Sequence, residues 1–117
     1  MEIHARSADR NLLLELNGEI DHHSARNAMR ELEMAVDAAL PKNLVLDMTG
    51  VTFMDSSGIG MILGRYRKLG EKGLKIAISG CSPSVRNILN MAGVFSIIDY
   101  YQDREEAVRE MNRKEVS

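Results

Sequence analysis

Leu12, Leu14 and Leu16 alternate with Leu13, Glu15 and Asn17, a period of two that predicts a strand. Ile3 to Ser7 alternates more weakly and predicts an edge strand, joined to the first in a hairpin through a turn at Ala8-Asp9-Arg10-Asn11. Gly18 is expected to end the second strand, and Glu19 to His23 to form a loop into a helix that Asp21 or Ser24 can cap. Ala25, Ala28, Met29, Leu32, Ala35, Val36, Ala39 and Leu40 then mark one helical face. Arg26, Arg30, Glu33 and Asp37 fall toward water, and Pro41 bars continuation.

Leu44 to Met48 reads as a central strand interrupted only by Asp47, followed by a turn at Thr49-Gly50. Val51 to Met54 is extended and leads into a polar break, Asp55-Ser56-Ser57-Gly58. From there Ile59, Ile62, Leu63 and Tyr66 recur at helical spacing. Arg65, Arg67 and Lys68 crowd the last turn, where cations suit the dipole, and Gly70 is the expected C-cap. Leu74, Ile76 and Ile78 predict another strand, and Ser82-Pro83 a helix start ended by Gly93. Phe95 to Ile98 predicts a last short strand. Asp103 and Glu106 resemble a capping box for a closing helix that buries Ala107, Val108 and Met111.

The order is β-β-α-β-α-β-α-β-α: an α/β fold with a mixed, mostly parallel sheet of about five strands and about four helices. Residues 1–117 are expected to form one domain. In such folds ligands and partners favour loops at the carboxyl ends of strands. Two of those loops are polar here, Glu19 to Ser24 and Asp55 to Gly58, and they are expected to lie side by side.

Composition narrows the function classes. The net charge is -2, which argues against nucleic acid, a ligand that needs a concentrated basic face. Cys81 is the single cysteine, so no internal disulfide or CxxC metal site is possible, and a reducing cytoplasmic setting is expected. No apolar run reaches membrane-span length. Cys81 itself is read as a structural residue rather than a reactive thiol.

The polar break has a bland explanation, because Asp or Ser caps many helices. Two hydroxyls and a carboxylate nevertheless exceed what one cap needs. Gly58, Gly60 and Gly64 each weaken a helix by roughly 1 kcal/mol relative to Ala, which suggests that a backbone or a partner comes close. A serine at a helix start is also well placed to receive phosphate, since the first amides and the dipole favour an anion. Asp21 is read as a cap and also as an exposed carboxylate able to meet a partner's arginine. His22 and His23 are read as surface residues; no metal-like spacing surrounds them.

Phe53-Met54-Asp55-Ser56-Ser57-Gly58-Ile59-Gly60, with Gly18-Glu19-Ile20-Asp21 upstream and Leu44 to Met48 between, resembles the STAS family and more narrowly the bacterial anti-anti-sigma factors. Asp21-His22-His23 and Met61-Ile62-Leu63-Gly64-Arg65-Tyr66 resemble the sporulation members of that group. The resemblance spans nearly the whole chain and is weakest in the first strand. It implies a non-enzymatic switch. An anti-sigma factor that is also a serine kinase would phosphorylate the serine after the motif aspartate, Ser56 by position. The unmodified form would bind that kinase and release the sigma factor, which is thus an indirect partner. A PP2C-like phosphatase would restore it. The implied contact residues are Glu19, Asp21, His22, Asp55, Ser56, Ser57, Gly58 and Ile59. No catalytic residue, metal or cofactor is implied, ATP being used by the kinase. Physics alone leaves Ser56 and Ser57 equivalent, since both could cap and both could be exposed.

Rival classes fit less well. A nucleophile elbow wants glycines two residues either side of the serine; Ser56 has Met54 and Gly58, Ser57 has Asp55 and Ile59. Gly58, Gly60 and Gly64 miss the dinucleotide spacing, leaving only weak nucleotide binding near Gly58 as an alternative. A phosphoryl carrier is disfavoured because phosphoserine is a stable ester. A STAS regulatory or scaffold module of another partner-switching pathway, or of a transporter, remains the other alternative.

Overall fold

The computed structural model describes residues 1–38 and 42–116, with side chains described through Arg113. Strands β1 (Glu2–Ala8) and β2 (Asn11–Ile20) are followed by α1 (Ala25–Ala38), β3 (Asn43–Met54), α2 (Ser56–Glu71) and β4 (Ile76–Ser79). After them come α3 (Pro83–Met91), a 3-10 turn (Val94–Ser96), β5 (Asp99–Tyr101) and α4 (Arg104–Val116). The expected end of the first helix at Ala39, Leu40 and Pro41 lies outside the described residues.

The five strands lie in sequence order, β1-β2-β3-β4-β5. The β1–β2 pair is antiparallel and the other pairs are parallel. Because right-handed crossovers move steadily across the sheet, α1, α2 and α3 fall on one face. Leu12, Leu14, Leu16, Leu44, Leu46, Met48, Ile76 and Ile78 point into the core on that side. The alternate residues Leu13, Val45 and Ala77 meet Ala107 and Met111 of α4 on the other. Leu13, which the alternation placed on the polar face of its strand, is therefore buried as well.

Several boundaries differ from the sequence reading. Gly18 does not end β2: at φ 109° it sits in a bulge, and the strand continues to Ile20, which is fully buried. Thr49-Gly50 is not a turn but an irregular stretch within the long β3. Leu74 precedes β4 rather than belonging to it. Phe95 to Ile98 is not a strand; the 3-10 turn buries Val94 and Ile98 there, and the pairing segment comes after it. The C-cap of α2 is Lys72 rather than Gly70; Gly73 adopts the left-handed conformation (φ 73°) just beyond it. Arg65 lies ahead of the last turn of α2, where Lys68 is the cation; Arg65 is buried and bonded to Glu33 of α1 at 3.3 Å, tying α2 to α1. Ser82 caps α3 with Pro83 at its start, and Asp103 accepts the Glu106 amide at 2.8 Å, the aspartate half of the expected box.

Candidate functional site at the start of the second helix

β2 and β3 run in parallel until Ile20 lies opposite Met54. The Asp55 amide then donates to the Ile20 carbonyl (3.2 Å), so both chains leave the sheet at one point. Asp55 is the N-cap of α2, with extended backbone; one carboxylate oxygen accepts the Ser57 amide at 2.9 Å. The other accepts the His22 amide at 3.0 Å. One side chain thus caps a helix and fastens the neighbouring loop to it. The two polar loops lie side by side, as expected of loops at the carboxyl ends of strands.

The partner loop is held by its own bonds. Asp21 accepts the amides of His23 (3.0 Å) and Ser24 (2.9 Å), while the Ser24 hydroxyl accepts the Asp21 amide and donates to the Glu19 carbonyl at 2.9 Å. The Ser24 amide, ahead of the hydroxyl and the His23 amide, holds the Asp21 carboxyl below its ordinary pKa. Asp21 therefore turns the chain just ahead of α1 and remains charged.

Around this frame Glu19, His22, His23 and Ser56 are exposed, Asp21, Asp55, Ser57 and Ile59 are half-buried, and Gly58 is buried. Ile59 also packs against the main core. A Cβ on Gly58 would lie 2.6 Å from Met54 Cγ and 3.1 Å from Ile20 Cγ2. The close approach expected at the glycines is therefore real at Gly58, and it is made by side chains of the chain's own strands. At Gly60 and Gly64 nothing lies within 4 Å of such a Cβ, so the helix surface there is bare. Phe53, which opens the motif but is not among the implied contact residues, lies opposite Glu19 and is 46% exposed beside the same loops. Its signal is the break in burial along β3, where Val51 and Met54 turn inward and Thr52 and Phe53 outward.

The geometry presents a hydroxyl, two carboxylates and the amino end of a helix on one rigid edge. Among the described residues no group of His, Cys, Asp and Glu could hold a metal ion. Cys81 lies elsewhere, half-buried after β4, and burial pushes its thiol up to about 12. It stays protonated at neutral pH, as a structural cysteine should. Among the described residues no helix is long and apolar enough to cross a membrane.

A family model described as the STAS domain matches residues 2–107. Anti-sigma F factor antagonist from Paenibacillus polymyxa is 35% identical over 100 residues, covering 86% of each chain. The structure of the anti-sigma factor antagonist SpoIIAA in its unphosphorylated form superposes with a TM-score of 0.78 at 26% identity, covering 95% of this chain and 96% of that one. The phosphorylated form of the Bacillus cell fate determinant SpoIIAA gives 0.69 at 25% identity, covering 93% and 98%. With its sequence order, mixed sheet and loop pair, the chain belongs to the STAS-domain family, among relatives that are anti-sigma factor antagonists.

Proposed function

We propose that this protein is an anti-sigma factor antagonist whose binding face is switched by phosphorylation of Ser56. The observation that carries the reading is the Asp55 carboxylate, bonded to both His22 and Ser57, which fixes two loops as one surface and leaves Ser56 exposed upon it. The unmodified form binds an anti-sigma factor that is also a serine kinase, and the sigma factor is released. Glu19, Asp21, His22, Ser56, Ser57 and Ile59 contribute the contact, Asp55 organises it, and Gly58 lets α2 settle onto the strands beneath. The bare surface at Gly60 and Gly64 allows a partner to approach the helix closely. The domain catalyses nothing itself and needs no cofactor; the kinase consumes ATP and a PP2C-like phosphatase resets the switch, in the cytoplasm.

The physics of the switch is local. Phosphate adds roughly -1.5 to -2 charges and three acceptor oxygens. The amides at the start of α2 can hold it without refolding. Asp21 and Asp55 already make the patch acidic, so a surface shaped for a hydroxyl meets both a clash and like-charge repulsion. A penalty of ~3 kcal/mol changes affinity more than a hundredfold. That SpoIIAA, a structural relative, has been described in both unphosphorylated and phosphorylated forms supports the reading.

The test is intact-mass and fragment mapping after incubation with the cognate anti-sigma kinase and ATP, using wild type, Ser56→Ala and Ser57→Ala. One phosphate, lost only in Ser56→Ala, is the expected result. Phosphate on Ser57 would move the site by one residue. None at all, with an active kinase, would overturn the switch.

A further inference from the structure

On the face of the sheet opposite the serine helix, α4 packs on β2 to β5, and β1 forms the edge beyond it. A cavity of about 570 Å³ remains between them, within the range of small-molecule sites. Its floor is apolar: Leu13, only 3% exposed, lies at the bottom, with Ala8 and Val108 beside it. Three guanidiniums line it, Arg6, Arg104 and Arg109, against one carboxylate, Glu105.

The arginines are not equivalent. Arg6 and Arg104 grip opposite oxygens of Glu15, at 3.0 and 3.4 Å. Arg104 also reaches Asp47 beneath it and Glu105 beside it, at 3.4 and 3.5 Å. These bonds fix two cations at the cavity wall without using all five N–H donors of either. Arg109, one turn along α4, has no ion pair with a described side chain. At the far end the fully buried Asn11 donates its side-chain N–H to the Asn112 side-chain oxygen at 2.7 Å. A fixed guanidinium pair, a third with no ion pair among the described side chains and an apolar floor are complementary to one kind of molecule.

We infer that this cavity binds a small amphiphilic anion, with a carboxylate or phosphate head on the arginines and an apolar body over Leu13, Ala8 and Val108. Guanidinium forks suit either head group through paired N–H bonds. The site shares no residue with the Ser56 loops, and the inference does not depend on the phosphorylation reading.

The experiment is a titration of the isotope-labelled full chain with octanoate and with octyl phosphate, followed by backbone amide shifts, with 1-octanol as the uncharged control. Saturable shifts at Arg6 to Ala8, Leu13 and Arg104 to Asn112 are expected, at millimolar or lower ligand. A preference for octyl phosphate over octanoate, or the reverse, would identify the head group. Octanol should bind at least about tenfold more weakly, since it lacks the charge-assisted bonds. Arg109→Glu, on the exposed side of α4, should lower affinity by a similar factor, and Ser56→Ala should leave it unchanged. No saturable shift for either anion, equal binding of octanol, shifts confined to other surfaces, or full affinity in Arg109→Glu would each overturn the proposal.

Discussion

Two aspartates, one within β3 and one just beyond it, do opposite jobs. Asp47, mid-strand, is 2% exposed and surrounded by side-chain donors: Ser79 at 2.9 Å, Thr49 at 3.0 Å and Arg104 at 3.4 Å. Asp55, just past the strand end, is half-buried and bonded to backbone amides of His22 and Ser57. The first carboxylate helps moor α4 to the sheet. Glu15 and Asp47, in that order, push the Arg104 pKa up. The second joins two loops while leaving their side chains free to face outward. A buried carboxylate satisfied by side chains serves the fold; one satisfied by amides at the sheet's end serves a surface.

The contrast can be broken at the first aspartate with the largest expected effect. Asp47→Ala strands the buried Ser79 hydroxyl and removes an anchor of Arg104, and should lower stability by about 2–3 kcal/mol. A urea melt should show a lower midpoint at unchanged slope, while affinity for the anti-sigma partner, measured on the folded fraction, stays the same. Loss of affinity without loss of stability would reverse the roles assigned to the two carboxylates.

Gly58→Ala tests the ground under the second site. The added methyl collides with the buried Met54 and Ile20 side chains, and should cost about 1–3 kcal/mol by overpacking. Because the collision shifts the first turn of α2, partner affinity should fall together with the melting midpoint. A variant as stable as wild type would show that α2 does not need so close a seat.

Asp55→Ala should cost only about 1 kcal/mol, the value of a cap. Its effect on partner binding should be larger, at least about tenfold, because the loop carrying His22 is no longer fastened. Asp55→Asn, itself a good cap, should recover most of the stability. Titration of the partner into each variant by calorimetry, beside a thermal melt, separates the two effects.

The local chemistry of the site was legible in sequence because capping is local: Asp55 bonds two residues ahead, and Ser82 three. What escaped depends on long-range contact or on conformation. The bond from Asp55 to His22 spans 33 residues, and no periodicity announces it. Arg65 reads as a surface cation until Glu33 of a neighbouring helix is beside it. The apolar run Phe95 to Ile98 fits a strand as well as a turn that buries alternate ends; the actual strand, Asp99–Tyr101, lacks aliphatic residues altogether. Gly70 and Gly73 look alike as letters, and only the positive φ of Gly73 distinguishes them.

The smallest effect expected is electrostatic. Folding lowers the Asp21 pKa, chiefly through the Ser24 amide, so the unfolded chain binds more protons in acid. The contribution is present above the ordinary carboxylate value, about 4, and is lost as pH falls through the lower folded value. Asp21→Asn should flatten that part of the acid limb of a stability–pH curve. An unchanged curve would mean that the Ser24 amide bond does not favour the charged form.

The most direct measurement is the affinity of the cognate anti-sigma factor for the protein before and after stoichiometric phosphorylation at Ser56, with folding checked by amide spectra. A loss of more than about a hundredfold, with spectral changes confined to the Glu19–Ser24 and Asp55–Ile59 segments, is the expected result. Equal affinity of the two forms would contradict the claim that this edge is a phosphorylation-switched binding face.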